Sequence, residues 1–480
     1  MKDSMYSAYN TPFRERYASK EMLALFSPDK KFSTWRRLWI ALAEAEQELG
    51  LSITDEQIEQ MKANILPVDY DFAGGMEKKF RHDVMAHVHT YGFVAPKAMP
   101  IIHLGATSCF VSDNADILIM REALTLIYDK ILNVLAQLRG LALKYKDMPT
   151  LGFTHFQPAQ LTTVGKRVSL WMYDLLTDLD NIEFTINSLT LLGAKGATGT
   201  QASFMYLFDN DHDKVKRLDL LVAEKIGFPK VQPVTGQTYS RKQDSRVLAA
   251  LAGVAESAHK FANDLRLLAS LKETEEPFES TQIGSSAMAY KRNPMRSERV
   301  CSIARYVISL SANPYYTHSV QWLERTLDDS ANRRMCIPEA FLGIDSILEL
   351  LINITDGMVI YDKIIAKRIN DELPFMATEN IIMEAVRQGA DRQEMHERIR
   401  IHSMEAGKRV KQEGLENNMM ELMADDNKIP LNKEQILTLL NPKNYVGRAP
   451  EQTAEFISEY IDPILQKYKD VLGKSAEIKV

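Results

Sequence analysis

The run DNADILIMREALTLIYDKILNVLAQLRGLALKY, Asp113 to Tyr145, decides how the chain folds. Its apolar residues Ile117, Leu124, Ile127, Ile131, Leu135, Leu138 and Leu141 recur mostly three and four apart. That spacing is one stripe of a long helix. Ser112 or Asp113 can cap its start, and Pro149 follows its end. A second stripe runs from Thr162 to Leu192 through Val164, Val168, Trp171, Leu175, Leu179, Ile182, Ile186 and Leu189. A third runs from about Arg241 to Leu271 through Val247, Leu251, Val254, Ala258, Phe261, Leu265 and Leu268. Such helices are ~45–50 Å long at ~1.5 Å per residue. Stripes of that length need one another, so the spacing predicts a mainly α protein built on a bundle of near-parallel helices.

Working outward, residues 1–108 mix helices with irregular segments, 109–360 carry the bundle, and 361–480 hold shorter helices. Pro338 predicts a helix boundary or kink, and breaks are expected near Glu372-Leu373-Pro374 and Asn441-Pro442. Strand-like alternation is scarce, and no fixed-period repeat is present.

The 480 residues include 45% hydrophobic and 25% charged residues, with a formal net charge of −6. That balance excludes general nucleic-acid binding, which needs a basic face. The three cysteines, Cys109, Cys301 and Cys336, lack CxxC spacing and read as small buried hydrophobes in a reducing compartment. The start, MKDSMYSAYNTPF, has no signal-peptide core, and no apolar run reaches the ~20 residues of a membrane span. The expectation is a cytoplasmic protein without a membrane partner.

Five segments depart from simple amphipathic patterning. In RHDVMAHVH, Arg81–His89, the three histidines do not converge on a helix, so Arg81 and His82 suit an anion better than a metal. The plainer alternative is an exposed polar helix turn. In IIHLGATSCFVSDN, Ile101–Asn114, Thr107 and Ser108 with backbone N–H groups can hold a carboxylate, or the stretch is a capping loop. In LGFTHFQPAQLTTVGKR, Leu151–Arg167, His155 lies in a loop ahead of the second long helix and can exchange a proton near neutral pH.

GSSAMAYKRNPMRSE, Gly284–Glu298, sets two serines beside Lys291, Arg292 and Arg296, with no histidine or cysteine to activate them. In ERTLDDSANRR, Glu324–Arg334, Ser330 and Arg334 share a face if helical and can clamp an anion. A salt-bridged surface face is the alternative there. The set offers many donors for anionic oxygen and one proton shuttle. No phosphate loop, dinucleotide fingerprint or zinc spacing is present. The chemistry that fits is cofactor-free removal of a proton from carbon beside a carboxylate, with departure of a neighbouring group. Lys291 and Arg292 would favour the alkoxide form of a nearby serine.

Gly284-Ser285-Ser286-Ala287-Met288 with Lys291 and Asn293 resembles the signature of the fumarase/aspartase superfamily. With THFQPAQ, RHDVMAHVH, GATS and ERTLDDSANRR, nearly the whole chain is similar to the adenylosuccinate lyase family in its animal-type branch. One departure is Ala289, where the superfamily loop normally has proline. Proline's absence leaves an unbound loop freer by ~0.4–1 kcal/mol of entropy.

The resemblance implies a three-domain lyase fold with a central long-helix bundle, nucleotide substrates and no cofactor or metal. It implies that His155 is the general acid and Ser285 the general base, a choice between Ser285 and Ser286 that the residues alone leave open. It implies that Lys291, Asn293, Thr107 and Ser108 hold the succinyl carboxylates and that Glu298 supports the catalytic network. Arg16, Tyr17, Arg81, His82, Asp83, Gln237, Arg299, Arg325, Ser330 and Arg334 match nucleotide-binding positions. It further implies a homotetramer whose active sites take residues from several subunits. The rivals are another fumarate-releasing lyase, such as argininosuccinate lyase or fumarase, and a non-catalytic helical scaffold.

Overall fold

A computed structural model describes residues 8–474 and Ala476; Met1–Ser7, part of the stretch expected to hold no signal-peptide core, lie outside the described residues. In chain order the elements that position the site are α1 (Pro28–Glu48), α2 (Tyr70–Phe80), α3 (Asp83–Val94), α4 (Ser108–Lys144), β1 (Pro149–Thr154), β2 (Gln157–Thr163) and α5 (Val164–Ser188). After them come α6 (Lys242–Ser270), β3 (Thr274–Glu275), α7 (Met295–Leu310), α8 (Asp328–Gly357), β4 (Val359–Ile360) and α9 (Asp362–Met376). Short helices follow, and α10 (Ala449–Phe456) lies near the end.

The three expected long helices are α4, α5 and α6, and α7 and α8 complete the bundle with them. α4 packs on α5 and α8, while α6 packs on α5, α7 and α8. Ile117, Leu124, Ile127, Ile131, Leu135 and Leu138 are wholly buried, so the stripe is the packed face. At Gly165 the start of α5 meets the end of α4 so closely that a Cβ would stand 2.4 Å from the Ala142 carbonyl oxygen. Only glycine permits that approach. The bundle core is continuous with the N-terminal helices and with Ile457, Ile461 and Leu465 near the C-terminus. A separate smaller core joins Ile381, Met395, Ile399, Met419 and Ile436.

Three local expectations are corrected. α4 begins at Ser108, so Ser112 and Asp113 are not its caps. Asp113 lies inside the helix because its carboxylate is buried against Arg241. Pro338 does not end α8, which runs through it; the break expected near Glu372-Leu373-Pro374 is present, with α9 ending at Met376, two residues after Pro374. A proline inside a helix costs ~3 kcal/mol. In α8 the neighbours Ile337, Ala340, Phe341 and Ile344 are buried, and their packing holds the helix across the lost hydrogen bond. The break at Asn441-Pro442 is present, where a helix ends at Leu439 and a short 3-10 turn begins at Pro442.

The third correction concerns the stretch ahead of α5: Pro149–Thr163 form an antiparallel hairpin, where only a loop was expected. Thr154 pairs with Gln157, leaving His155 and Phe156 as the two turn residues. Both have positive φ, 55° and 57°. That is the backbone of the tight hairpin turn usually made by Asn-Gly, and here two bulky residues adopt it. Leu151, Leu161 and Val164 at the root pack on Ile365, Ile369 and Leu373 of α9, which fixes the turn in space.

Candidate active site

Helix ends converge on a cleft of about 850 Å³. α2 closes with Arg81 in the left-handed region, φ 56°, so the chain turns sharply and α3 starts two residues later. That break projects Arg81, His82 and Asp83 into the cleft. His82 caps α3: its Nδ1 accepts the Met85 N–H at 3.3 Å. The ring proton therefore sits on Nε2, which donates to Ser108 Oγ at 3.3 Å. Ser108 opens α4, whose first backbone N–H groups give that wall a partial positive charge.

The opposite wall is the start of α8. Ser330 and Arg334, one turn apart on this helix, both line the cleft, as does Arg325 just before it. Arg334 Nη2 donates to Asp83 Oδ2 at 3.0 Å and ties the two walls together. Gln237 lines the floor, its N–H donating to Glu324 O at 3.0 Å and its Nε2 to Ala197 O at 3.1 Å. Thus Arg81, His82, Asp83, Ser108, Gln237, Arg325, Ser330 and Arg334 meet in one place.

Beneath them lies a charged layer that motif reading missed. Arg241 is 2% exposed; its Nη1 donates to Asp113 Oδ2 at 3.0 Å and its Nε to Asp329 Oδ2 at 2.8 Å. Arg333, 8% exposed, donates from Nε to Asp244 Oδ2 at 2.7 Å and from Nη2 to Asp116 Oδ2 at 2.9 Å. Burial opposes charge on both guanidiniums, but the surrounding carboxylates, Asp113 foremost for Arg241 and Asp244 for Arg333, hold them above their ordinary range. A buried pair stands only when so fully partnered. A usable signal was present: Asp113, Asp116 and Asp244 fall within the first three turns of long apolar-striped helices.

The cysteines offer no nucleophile. Burial pushes the Cys109 thiol up to about 12 and Cys336 up to about 11, and all three cysteines are buried and unpaired. Of the clustered histidines, His87 stacks on Phe32 with ring centroids 3.6 Å apart, and burial lowers it to about 4. His89 stacks on Phe80 at 4.7 Å.

Other expected residues lie outside the cleft. Thr107 precedes α4 without a side-chain capping bond. His155 is exposed at its hairpin tip. Arg16 and Tyr17 end a short helical turn, Phe13–Tyr17, and the Arg299 guanidinium lies 5.4 Å over the Tyr17 ring. Ser285, Lys291 and Asn293 belong to the segment between β3 and α7, and Glu298 lies in the first turn of α7. There the Ser285 Oγ accepts the N–H groups of Ala287 and Met288 at 3.3 and 3.2 Å. Asn293 Nδ2 donates to Gly284 O at 2.8 Å, and a Cβ on Gly284 would fall 2.1 Å from the Lys291 carbonyl oxygen.

Glu276 closes the segment's far end, accepting the N–H groups of Arg296 and Ser297 at 2.8 and 3.0 Å. Arg292, expected with Lys291 to favour the serine alkoxide, is held by a carboxylate here, and so is Arg296. They pair with Glu275 at 3.3 Å and Glu279 at 2.5 Å, because those carboxylates stand beside the segment's root. The groups that meet the Ser285 oxygen are backbone N–H donors, and these stabilise negative charge on oxygen.

Comparison with known proteins fits this arrangement. Residues 27–309 match the lyase family model, and 374–456 match the model of the adenylosuccinate lyase C-terminus. Adenylosuccinate lyase from Schizosaccharomyces pombe is 55% identical over 97% of this chain and 98% of its own length. The chain belongs to the adenylosuccinate lyase family. The adenylosuccinate lyase of Saccharomyces cerevisiae is 56% identical, with 98% of each chain covered. The fold is also that of 3-carboxy-cis,cis-muconate lactonizing enzyme from Pseudomonas putida, at a TM-score of 0.82 and 22% identity, covering 96% of this chain and 100% of that one. Adenylosuccinate lyase family membership thus spans the bundle and the C-terminal region, the two parts that hold the cleft and the hairpin support.

Proposed function

We propose that this chain eliminates fumarate from adenylosuccinate, giving AMP, and from the succinyl-aminoimidazole-carboxamide ribonucleotide, giving AICAR, in purine biosynthesis. The observation that carries the reading is the single cleft that gathers Arg81, His82, Ser108, Gln237, Arg325, Ser330 and Arg334 in a chain of this family. Its volume suits a nucleotide-sized ligand. Its cations and hydroxyls suit phosphate and carboxylate oxygen.

In the reaction, Ser285 removes the succinyl Cβ proton. The carbon–nitrogen bond breaks, its electron pair leaves with nitrogen, and the former C–H pair forms the double bond of fumarate. His155 donates a proton to the departing nitrogen. Lys291 and Asn293, with Thr107 and Ser108, hold the carboxylates, and Glu298 supports the network. Arg16, Tyr17, Arg81, His82, Asp83, Gln237, Arg299, Arg325, Ser330 and Arg334 hold the nucleotide. No cofactor enters the scheme.

The active assembly in this reading is a homotetramer with shared sites. Two observations support it: neither His155 nor Ser285 lines the cleft, and the bundle carries exposed apolar residues, Leu170, Tyr173 and Phe184 on α5 and Tyr306 and Ile308 on α7. The division at 108/109 and 360/361 belongs to the same reading, supported at its C-terminal side by the separate small core. So does a cytoplasmic location; no helix of the described residues is long and apolar enough to cross a membrane. The test is fumarate release, followed by ultraviolet absorbance, from adenylosuccinate against argininosuccinate and malate. Release from adenylosuccinate alone is expected, and turnover of only argininosuccinate or malate overturns the reading.

A further inference from the structure

The cleft's cations are nearly all matched by carboxylates. Arg241 has Asp113 and Asp329, Arg325 has Asp329, Arg333 has Asp244 and Asp116, and Arg334 has Asp83. Lys31 departs from that pattern. It lies in the first turn of α1 and lines the cleft, half-buried. Its ammonium stands 5.0 Å from the Trp35 ring centroid and 5.2 Å from that of Phe32. Among the described residues no carboxylate forms an ion pair with it. Aromatic faces hold a cation in place but replace its lost hydration poorly.

Burial, and then the nearby Arg334 guanidinium, draw the lysine below its ordinary range. Asp116, Asp83 and Glu77 face it from farther off and offset this in part. Lys31 and Arg334, whose guanidinium keeps Asp83 as a partner, thus both offer donors to one cleft, and the ammonium itself has no matching carboxylate among the described residues. An anion with several oxygens can engage both.

We infer that Lys31 is a further substrate-contacting residue, whose ammonium takes an oxygen of the substrate's phosphate group alongside Arg334. This rests on the nucleotide reading above and extends it to a residue outside the five motifs. A phosphate suits the site better than a carboxylate because it carries more terminal oxygens with which to reach the ammonium and the guanidinium together.

The experiment compares wild type with Lys31→Met, Lys31→Gln and Lys31→Arg on adenylosuccinate and on the dephosphorylated succinyl-nucleoside. Thermal shift with inorganic phosphate is measured alongside. Loss of one charged hydrogen bond predicts a KM for the nucleotide raised about 10–100-fold in Lys31→Met and Lys31→Gln, more than kcat falls. Lys31→Arg recovers most of the loss, and the penalty vanishes on the nucleoside. Phosphate raises the melting temperature of wild type and not of Lys31→Met.

An unchanged KM in folded variants overturns the inference, as does an equal penalty on the nucleoside, which would move Lys31 away from the phosphate. A wild type that releases no fumarate refutes the nucleotide reading instead. In that case the inorganic-phosphate shift still decides whether Lys31 binds the anion.

Discussion

Asp329 holds two arginines at once: its Oδ2 lies 2.7 Å from Arg241 Nη2, and its Oδ1 lies 2.9 Å from Arg325 Nη1. One buried carboxylate thereby couples the charged layer under the cleft to an arginine that lines it. Asp329 touches no substrate in the proposed scheme, yet it sets where the Arg325 fork points.

Asp329→Asn therefore loosens Arg325 and leaves Arg241 with Asp113 as its remaining carboxylate partner. Breaking such a buried pair costs ~3–5 kcal/mol when one partner is removed outright, and the asparagine should lose somewhat less. The expected result is a lower urea midpoint together with a KM for adenylosuccinate raised at least ~10-fold. A stable, kinetically normal variant would show that Arg325 needs no such support.

His155→Gln and Ser285→Ala should each lower turnover by at least ~100-fold with folding intact, the usual scale for an acid or base. Mixing the two inactive proteins should restore part of the activity after subunit exchange, because a shared site can then draw each intact residue from a different chain. Absence of recovery after verified exchange would exclude sharing between these two residues. Normal turnover in Ser285→Ala would require another base.

Glu46 is wholly buried, neither of its carboxyl oxygens has a hydrogen-bond partner among the described residues, and burial pushes it up to about 9. The unfolded chain releases this proton near 4.5, whereas the folded chain keeps it until about 9. Between those values the folded state binds more protons, so stability falls as pH rises, by at most ~1.4 kcal/mol per pH unit. The contribution is fully present below about 4.5 and lost by the time pH passes 9. Glu46→Gln removes this titration. Denaturation at pH 5 and pH 8 should show the variant gaining on wild type at the higher pH, and a parallel pH dependence would count against a neutral buried Glu46.

Asp345 accepts the Ser19 N–H at 2.6 Å and the Ser19 hydroxyl at 2.9 Å, and it also pairs with buried Lys130. It thus pins the chain just after Arg16 and Tyr17. Asp345→Ala leaves Lys130 with Glu349 as its remaining carboxylate partner and should cost ~3–5 kcal/mol in equilibrium unfolding. A loss below ~1 kcal/mol would mean that the network relaxes around the gap.

What the sequence determined by itself was the bundle and the chemistry-bearing segments. Apolar spacing is a local property of α4, α5 and α6, so their existence could be read from the order of residues alone. The resemblance likewise depended on short motifs, and whole-chain similarity supports it. Tertiary structure decided the rest. His155 sits on a hairpin turn, which period-counting cannot see because the packing of Leu151 and Leu161 against α9 imposes it. Pro338 stays helical because its neighbours are buried, a gain no local propensity contains. Asp113, Arg241 and Asp329 join only when three helices separated by long stretches of chain come together, and it is that approach, through desolvation and close charge pairing, that turns scattered charged residues into the floor of one cleft.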